Sequence, residues 1–486
     1  MPIAPGTLVK GAAVLSFGQV AVYGLSFVRN LILARILTKA DFGLAAALAL
    51  TMSVLELVSK MAFGKQIVQD REGDEPRFQA VAHSVQVSTG LISAGLVIGG
   101  AFPMALAFGV PNLTWAFASL ALVPLARGAM HLDLIRWHRQ YLYGPRVLSE
   151  VLPQFLATAA AWPLAVWLAD FRAVLWIMLG KELLTVAISH LLAKRPYRLA
   201  WEGKYVKRML VFGWPLLLTG LMIFASQQGD KLIIGAAFSL AELASYSIAF
   251  SLSSIPFSIF GQVGSSLMLP TLARHQDERE SFEAHYRRCL ELSVMGALVL
   301  LGPVIVVGGP LVRLLYGAKY SGLGTLMIIF GAIATLRFFR WAPALAAMSQ
   351  ADTINQFTAN VARALSLPFA ILMVALGTRK VEVVAGCGLL GEALAILVSV
   401  LRVQKRQGIS LAAHRKPVLF MVGWIAVAAS VQQWLAEGAA VWLGFSAVLA
   451  LWSVGAIVSF FLFPDLMAMY RQTFKDLRIR KLFACG

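Results

Sequence analysis

Ten ionisable side chains fall inside stretches otherwise apolar enough to cross a bilayer. The cations are Arg29, Lys60, Arg127, Lys181, Lys231 and Arg363, and the acids are Glu56, Glu182, Asp230 and Glu392. Each charge costs roughly 2.5 kcal/mol or more at the centre of hydrocarbon unless it snorkels, pairs or faces water. Six buried cations against four acids leave a positive surplus. The acids balance charge when paired, and are candidate proton or sodium sites when unpaired.

The ten are not equivalent. Lys60 lies four residues after Glu56 on one helical face and reads as a locally neutralised pair. Arg127 and His131 share a face by the same spacing, near a span end, where snorkelling satisfies both. Arg363 stands between a snorkelling residue and a site residue. Lys181 is the deepest, near the middle of its apolar run. Its neighbour Glu182 points about 100° away around a helix and need not be its partner, so a water-filled cavity is the favoured surrounding. Arg29 and Lys231 lie in the outer parts of two spans that resemble each other.

The elements that must carry these charges follow from composition. Of 486 residues, 59% are hydrophobic and 14% charged, which is far from a soluble balance. Apolar runs recur at 11–37, 42–64, 80–102, 111–132, 147–169, 173–193, 209–237, 241–263, 290–312, 322–341, 357–377, 381–401, 417–435 and 439–462, each read as a helical span. Alternating strands of a barrel are not seen. The net charge of +18 reflects basic loops beside anionic lipid, and no nucleic acid is expected as a partner. One set of loops and ends holds most of the Lys and Arg, including Arg337 and Arg340. The opposite set holds only Arg35, Lys39, Arg172, Arg313, Lys319, Arg379 and Lys380, so both termini are expected in the cytoplasm. Thr271–Cys289 reads as an amphipathic surface helix joining two spans. Cys289, Cys387 and Cys485 are far apart in sequence, and none falls in an outer loop, so no structural disulfide is expected.

One stretch has an echo. Arg29-Asn-Leu-Ile-Leu-Ala-Arg-Ile-Leu-Thr-Lys-Ala-Asp41-Phe-Gly43 is repeated in character by Asp230-Lys-Leu-Ile-Ile-Gly-Ala-Ala-Phe-Ser-Leu-Ala-Glu242-Leu-Ala244, with Thr38 on Ser239 and Asp41 on Glu242. Repeated halves are the usual trace of a transporter built from two bundles. If the halves are related by pseudo-symmetry, Arg29 and Asp230 approach each other and pair as a gate. The domains expected are an N-terminal bundle at 1–193, a basic linker at 194–208, a C-terminal bundle at 209–402, two additional spans at 403–462 and a basic tail at 463–486. Pro124, Pro163, Pro215, Pro256, Pro303 and Pro368 punctuate the spans and permit kinks. No Walker-type loop, metal-ligand cluster or nucleophile elbow is present, so neither a built-in ATPase nor another enzyme is expected, and no cofactor beyond proton or sodium coupling.

The stretch from Leu8-Val-Lys-Gly11 to Gly18-Gln, with Ser26-Phe-Val-Arg29, Leu33-Ala-Arg-Ile-Leu37 and Ala40-Asp-Phe-Gly-Leu44, resembles bacterial O-antigen and exopolysaccharide flippases. These belong to the multidrug/oligosaccharidyl-lipid/polysaccharide flippase superfamily. Phe212-Gly-Trp-Pro-Leu216, Asp230 to Gly235 and Ser245-Tyr-Ser-Ile-Ala249 resemble that family's seventh and eighth spans. The resemblance implies an all-α polytopic membrane protein of about fourteen transmembrane helices, in two six-helix bundles around a central cavity, plus two C-terminal helices. It implies a bacterial inner-membrane protein that turns a polyprenyl-diphosphate-linked oligosaccharide to the outer leaflet by alternating access, with membrane lipids, a polysaccharide polymerase and a co-polymerase as partners. Lys181, Arg29, Arg363, Lys231 and Arg127 are then candidate diphosphate ligands, and Asp230, Glu182, Glu56 and Glu392 candidate gating or coupling acids. A cation-coupled drug antiporter of the same fold, which would prefer an acidic cavity, and a membrane-embedded enzyme or non-transporting component of polysaccharide assembly are the alternatives.

Overall fold

A computed structural model describes residues 5–59, 63–140, 142–435 and 441–463. These are helical throughout, with no strand among the described residues. A long apolar segment in lipid must satisfy its own backbone groups, and a helix does so within one segment. Among the described residues, eleven helices are long and apolar enough to span a membrane, and a bent pair would make a twelfth. The chain forms two compact units, residues 1–247 and 248–486.

The first unit holds α1 (Pro5–Ile36), α2 (Lys39–Ser59), α3 (Phe63–Gln69), α4 (Pro76–Ala107), α5 (Thr114–Ser119), α6 (Leu122–Gly128), α7 (Asp133–Arg136), α8 (Gly144–Leu168), α9 (Arg172–Leu192) and α10 (Gly203–Ala237). It also holds the first turns of α11 (Leu240–Arg274). Helix α1 packs along α8, α8 along α9, and α4 along α5 and α6, while α10 lies against α2 and α4. Near one end, Phe78, Val81, Val85, Leu132, Tyr205 and Met209 form a buried apolar cluster.

The expected span 111–132 is not one straight helix. Residues Pro111–Gly128 and Asp133–Gln140 meet at a bend of 54°. Gly90 permits the packing that stabilises this broken element, since a Cβ there would sit 2.6 Å from the Pro124 carbonyl oxygen. Gln86 Nε2, on the same face of α4, lies 2.8 Å from the Arg127 carbonyl, 3.1 Å from that of Gly128 and 2.9 Å from that of Met130. Carbonyls freed at a helix end are thereby satisfied away from water.

The second unit holds the rest of α11 with α12 (Arg279–Val306), α13 (Gly308–Tyr316), α14 (Gly324–Ser349), α15 (Thr353–Ala364), α16 (Ser366–Ala375), α17 (Val381–Gln407), α18 (Ala412–Trp434) and α19 (Val441–Leu462). Helix α14 packs on α12 and α17, and α17 also packs on α15 and α16. Pro368 has no N–H to offer the Ala364 carbonyl, and the helix breaks there into α15 and α16. Helices α18 and α19 lie on α12 through Leu298, Ile305, Trp424, Ala428, Val448 and Leu451.

Two expectations are corrected here. Thr271–Cys289 is not a separate surface helix: α11 continues to Arg274, and α12 begins at Arg279 and runs on as a span. Arg337 and Arg340 are not loop residues, because α14 extends to Ser349, beyond the expected end at 341.

Candidate functional site

In the first unit the buried charges converge on Glu182. Helix α6 supplies Arg127, whose Nε donates to Glu182 Oε2 at 2.7 Å. Lys181 Nζ lies 2.9 Å from Glu182 Oε1, so one carboxylate holds two cations. The Glu182 side chain is almost fully enclosed, whereas 28% of the Lys181 side chain and 20% of that of Arg127 remain exposed. Arg29 of α1 is within electrostatic reach of the same carboxylate, and its Nη2 donates to Ser26 Oγ at 3.4 Å. One enclosed carboxylate bound by a guanidinium and a partly exposed ammonium presents positive groups to a ligand. The arrangement can hold an anion without an unpaired buried acid.

This geometry revises two readings. Arg127 does not snorkel beside His131, because its helix ends at Gly128 and the side chain turns to Glu182. Lys181 does take Glu182 as a partner: its flexible four-carbon stem bends across the 100° that separates the two positions.

In the second unit the equivalent centre is Glu392 on α17. Arg337 Nε lies 3.2 Å away, Arg340 Nε 2.7 Å and Arg363 Nε 3.1 Å. Arg337 and Arg340 stand one turn apart on α14, so both guanidiniums reach the same carboxylate. Arg337 also lies over the Phe250 ring at 5.8 Å. Gly391 permits the helix approach that brings Arg363 in, since a Cβ there would meet the Arg363 carbonyl oxygen at 2.6 Å. This cluster is closed to solvent: Glu392 is 0% exposed, and the arginine side chains are 8–14% exposed.

The two echoing stretches form two helical hairpins with one device at each turn. Thr38 and Asp41 exchange bonds: the Thr38 hydroxyl donates to the Asp41 carboxylate, and Asp41 N–H donates to Thr38 Oγ1 at 3.1 Å. Ser239 N–H and Oγ donate to Glu242 Oε2 at 2.9 and 2.8 Å, and Glu242 N–H returns a bond to Ser239 Oγ at 3.2 Å. These are capping boxes at the starts of α2 and α11, which explains why the acid recurs at the same place. The hairpins touch through Gly43, where a Cβ would lie 1.8 Å from the Leu240 carbonyl oxygen.

Arg29 and Asp230 do not pair in this structure. Asp230 is served by nearer donors, the Tyr246 hydroxyl at 2.7 Å and the Lys231 N–H at 2.9 Å. Lys231 is buried on α10. Lys60 and the side chain of Glu56 lie outside the described residues, as do Cys485 and the tail from 464, while Cys289 and Cys387 are buried free thiols.

Sequence reasoning missed a histidine latch on the segment joining α9 to α10. His83 Nε2 accepts from Leu132 N–H, so its Nδ1 donates to the Arg198 carbonyl at 3.1 Å. His131 takes the opposite tautomer, with Nδ1 accepting from Asp133 N–H and Nε2 donating to the Arg195 carbonyl at 2.9 Å. Asp133 Oδ2 accepts from the backbone N–H groups of Lys194 and Arg195. Positions 83, 131 and 190, whose rings gather around Tyr197, share no local spacing by which they could have been found.

A family model for polysaccharide biosynthesis proteins matches residues 32–324, more than half of the chain. The chain belongs to this polysaccharide biosynthesis protein family. The resemblance carried by the two hairpins is therefore upheld. Among relatives, the chain is 22% identical over 340 residues to the lipopolysaccharide biosynthesis protein WzxC of Escherichia coli K12, covering 68% of this chain and 67% of that protein. It is 23% identical over 320 residues to the succinoglycan biosynthesis transport protein ExoT of Rhizobium meliloti, covering 64% of this chain and 62% of ExoT, just under two thirds of its length. Among solved structures, the lipid II flippase MurJ in an inward closed conformation matches with a TM-score of 0.72 at 13% identity, over 93% of this chain and 99% of MurJ. At that identity the likeness establishes a shared fold. This family member is thus a multi-pass helical membrane protein, and its relative ExoT is named for transport.

Proposed function

We propose that this protein flips a polyprenyl-diphosphate-linked oligosaccharide across the bacterial inner membrane by alternating access, for assembly of a surface polysaccharide. The observation that carries the reading is the pair of partly exposed cations, Lys181 and Arg127, held beside the enclosed Glu182. Arg127 and Lys181 contact one carboxylate, and Arg29 stands within reach. A diphosphate suits such cations, and the partly exposed Lys181 is its first ligand. WzxC and ExoT, named for lipopolysaccharide biosynthesis and succinoglycan transport, support this substrate class, as does the fold shared with a lipid II flippase. A cation-coupled antiporter would need a free acid, whereas Glu182 and Glu392 are each held by cations. Asp230, bound by the neutral Tyr246 hydroxyl, is the acid we assign to ion coupling.

The reading includes fourteen spans in two repeated halves, with both termini in the cytoplasm. A cysteine placed at Gly203 in a cysteine-free background should then be shielded from an impermeant thiol reagent in sealed cells, and labelling there would reverse the orientation. The function is tested by Lys181→Ala. Flipping of the lipid-linked repeat unit should fall below detection with protein level unchanged, and Lys181→Arg should keep part of the activity. Normal transport by Lys181→Ala would remove the site.

A further inference from the structure

A hollow of about 550 Å³ opens on the first unit where α3 ends and α10 begins. Its rim carries Lys204, Lys207, Arg208 and Asp70, and its wall continues into Val211 and Phe212 one turn further along α10. The surface of α10 changes character over this length. Lys204 and Lys207 are exposed at its start, and then Leu210, Val211 and Trp214 stand outward at 43%, 66% and 58% exposure. Trp201 is 64% exposed just before the helix begins. Outward tryptophans beside a change from basic to apolar surface mark the level where headgroups meet hydrocarbon.

The rim is only partly neutralised. Arg208 Nη1 lies 2.9 Å from Asp70 and 2.6 Å from Glu72, while Lys204 Nζ lies 3.9 Å from Glu72. Lys207 makes no ion pair among the described residues. Three cations facing two carboxylates leave one positive charge beside an apolar wall. We propose that this hollow binds an anionic glycerophospholipid of the leaflet at this end of the protein, its phosphodiester on Lys204 and Lys207 and an acyl chain against Val211 and Phe212.

The charge balance favours a bulk phospholipid over the transported lipid. One surplus positive charge matches a monoanionic phosphodiester, whereas the carboxylates at Asp70 and Glu72 oppose a doubly charged diphosphate bearing a bulky sugar. The site is independent of the Glu182 centre, so the two readings can fail separately.

Native mass spectrometry of the delipidated full chain titrated with phosphatidylglycerol or phosphatidylcholine tests the proposal. Lys207→Gln should weaken phosphatidylglycerol binding about fivefold, and Lys204→Gln with Lys207→Gln about 25-fold. Lys207→Arg should retain binding, as should Lys181→Gln. Phosphatidylcholine should bind weakly to all forms. Lys207 is exposed and makes no ion pair among the described residues, so its substitution leaves the fold intact. Equal affinity of the natural chain for the two phospholipids would overturn the proposal, as would unchanged phosphatidylglycerol binding in Lys207→Gln. Displacement of phosphatidylglycerol by undecaprenyl diphosphate at a tenfold lower concentration would assign the hollow to the transported lipid and equally overturn it.

Discussion

The Glu182 and Glu392 centres use one motif for opposite ends. Each places a carboxylate on a membrane helix within ion-pair distance of two or more cations. Around Glu392 the guanidiniums are enclosed, and one is covered by a phenyl ring. Around Glu182 the lysine and arginine keep part of their surface open. A sealed cluster fixes the helices that carry it, and an open one retains a charge that a ligand can reach. Accessibility, more than the count of charges, separates a structural clamp from a binding site.

Removing each carboxylate tests this contrast most severely. Glu392→Gln leaves three buried guanidiniums around a neutral amide, and breaking a buried ionic group in this way costs about 3–5 kcal/mol. The variant should fail to accumulate as folded protein, read by membrane yield and size-exclusion profile. Glu182→Gln should lose less, since Lys181 and Arg127 can still reach solvent or substrate. Equal loss of folded protein in both variants would end the distinction.

The cations offer the next comparison. Lys181→Ala should eliminate transport at normal protein level, whereas Arg363→Ala should lower protein level and transport together, because Arg363 is engaged with Glu392. A normally folded Arg363→Ala protein that cannot transport would move Arg363 from the clamp to the substrate path.

Much of this was legible in the sequence and some of it was not, for physical reasons. Apolar runs announced the helices, and the charges inside them pointed to Glu182 and Glu392. Two of the three partners of Glu392 were hidden because Arg337 and Arg340, which lower local hydropathy, were counted with the loops and ends. The expected span therefore ended at 341, although the helix continues to Ser349. Hydropathy measures preference for lipid, and it does not see that a carboxylate 55 positions away cancels the penalty. The capping boxes showed as a repeated acid because Thr38 to Asp41 and Ser239 to Glu242 are local pairs. The histidine latch joins distant segments and left no such trace.

The two hairpin turns give a smaller contrast. Removing a capping hydroxyl costs about 1 kcal/mol, so Thr38→Ala and Ser239→Ala should destabilise similarly. The acids should differ. Asp41 also accepts the Phe171 N–H at 3.3 Å, at the start of α9, and among the described residues no such second tie is seen at Glu242. Asp41→Ala should therefore lower the melting temperature more than Glu242→Ala, and equal shifts would make that tie irrelevant.

The smallest effect comes from an ion pair at the rim of the same helices that hold the Glu392 clamp. Arg402 of α17 donates to both oxygens of Asp352 at the start of α15, at 2.9 and 2.8 Å. The Arg402 hydrogen bonds hold the Asp352 carboxyl below the usual carboxylate range. A carboxylate whose folded pKa is depressed adds stability that is present above its unfolded pKa, about 3.9, and is lost as pH falls through the folded value. Partial exposure and salt limit the contribution to about 1 kcal/mol or less, or about 1–2 °C in a chain of this length. Arg402→Gln should therefore melt slightly below the natural protein at pH 7, and the gap should narrow as pH falls through the depressed folded pKa of Asp352 and close once the carboxyl is protonated in both states. A gap that persists at low pH would show that Arg402 stabilises through the packing of its stem instead of its charge.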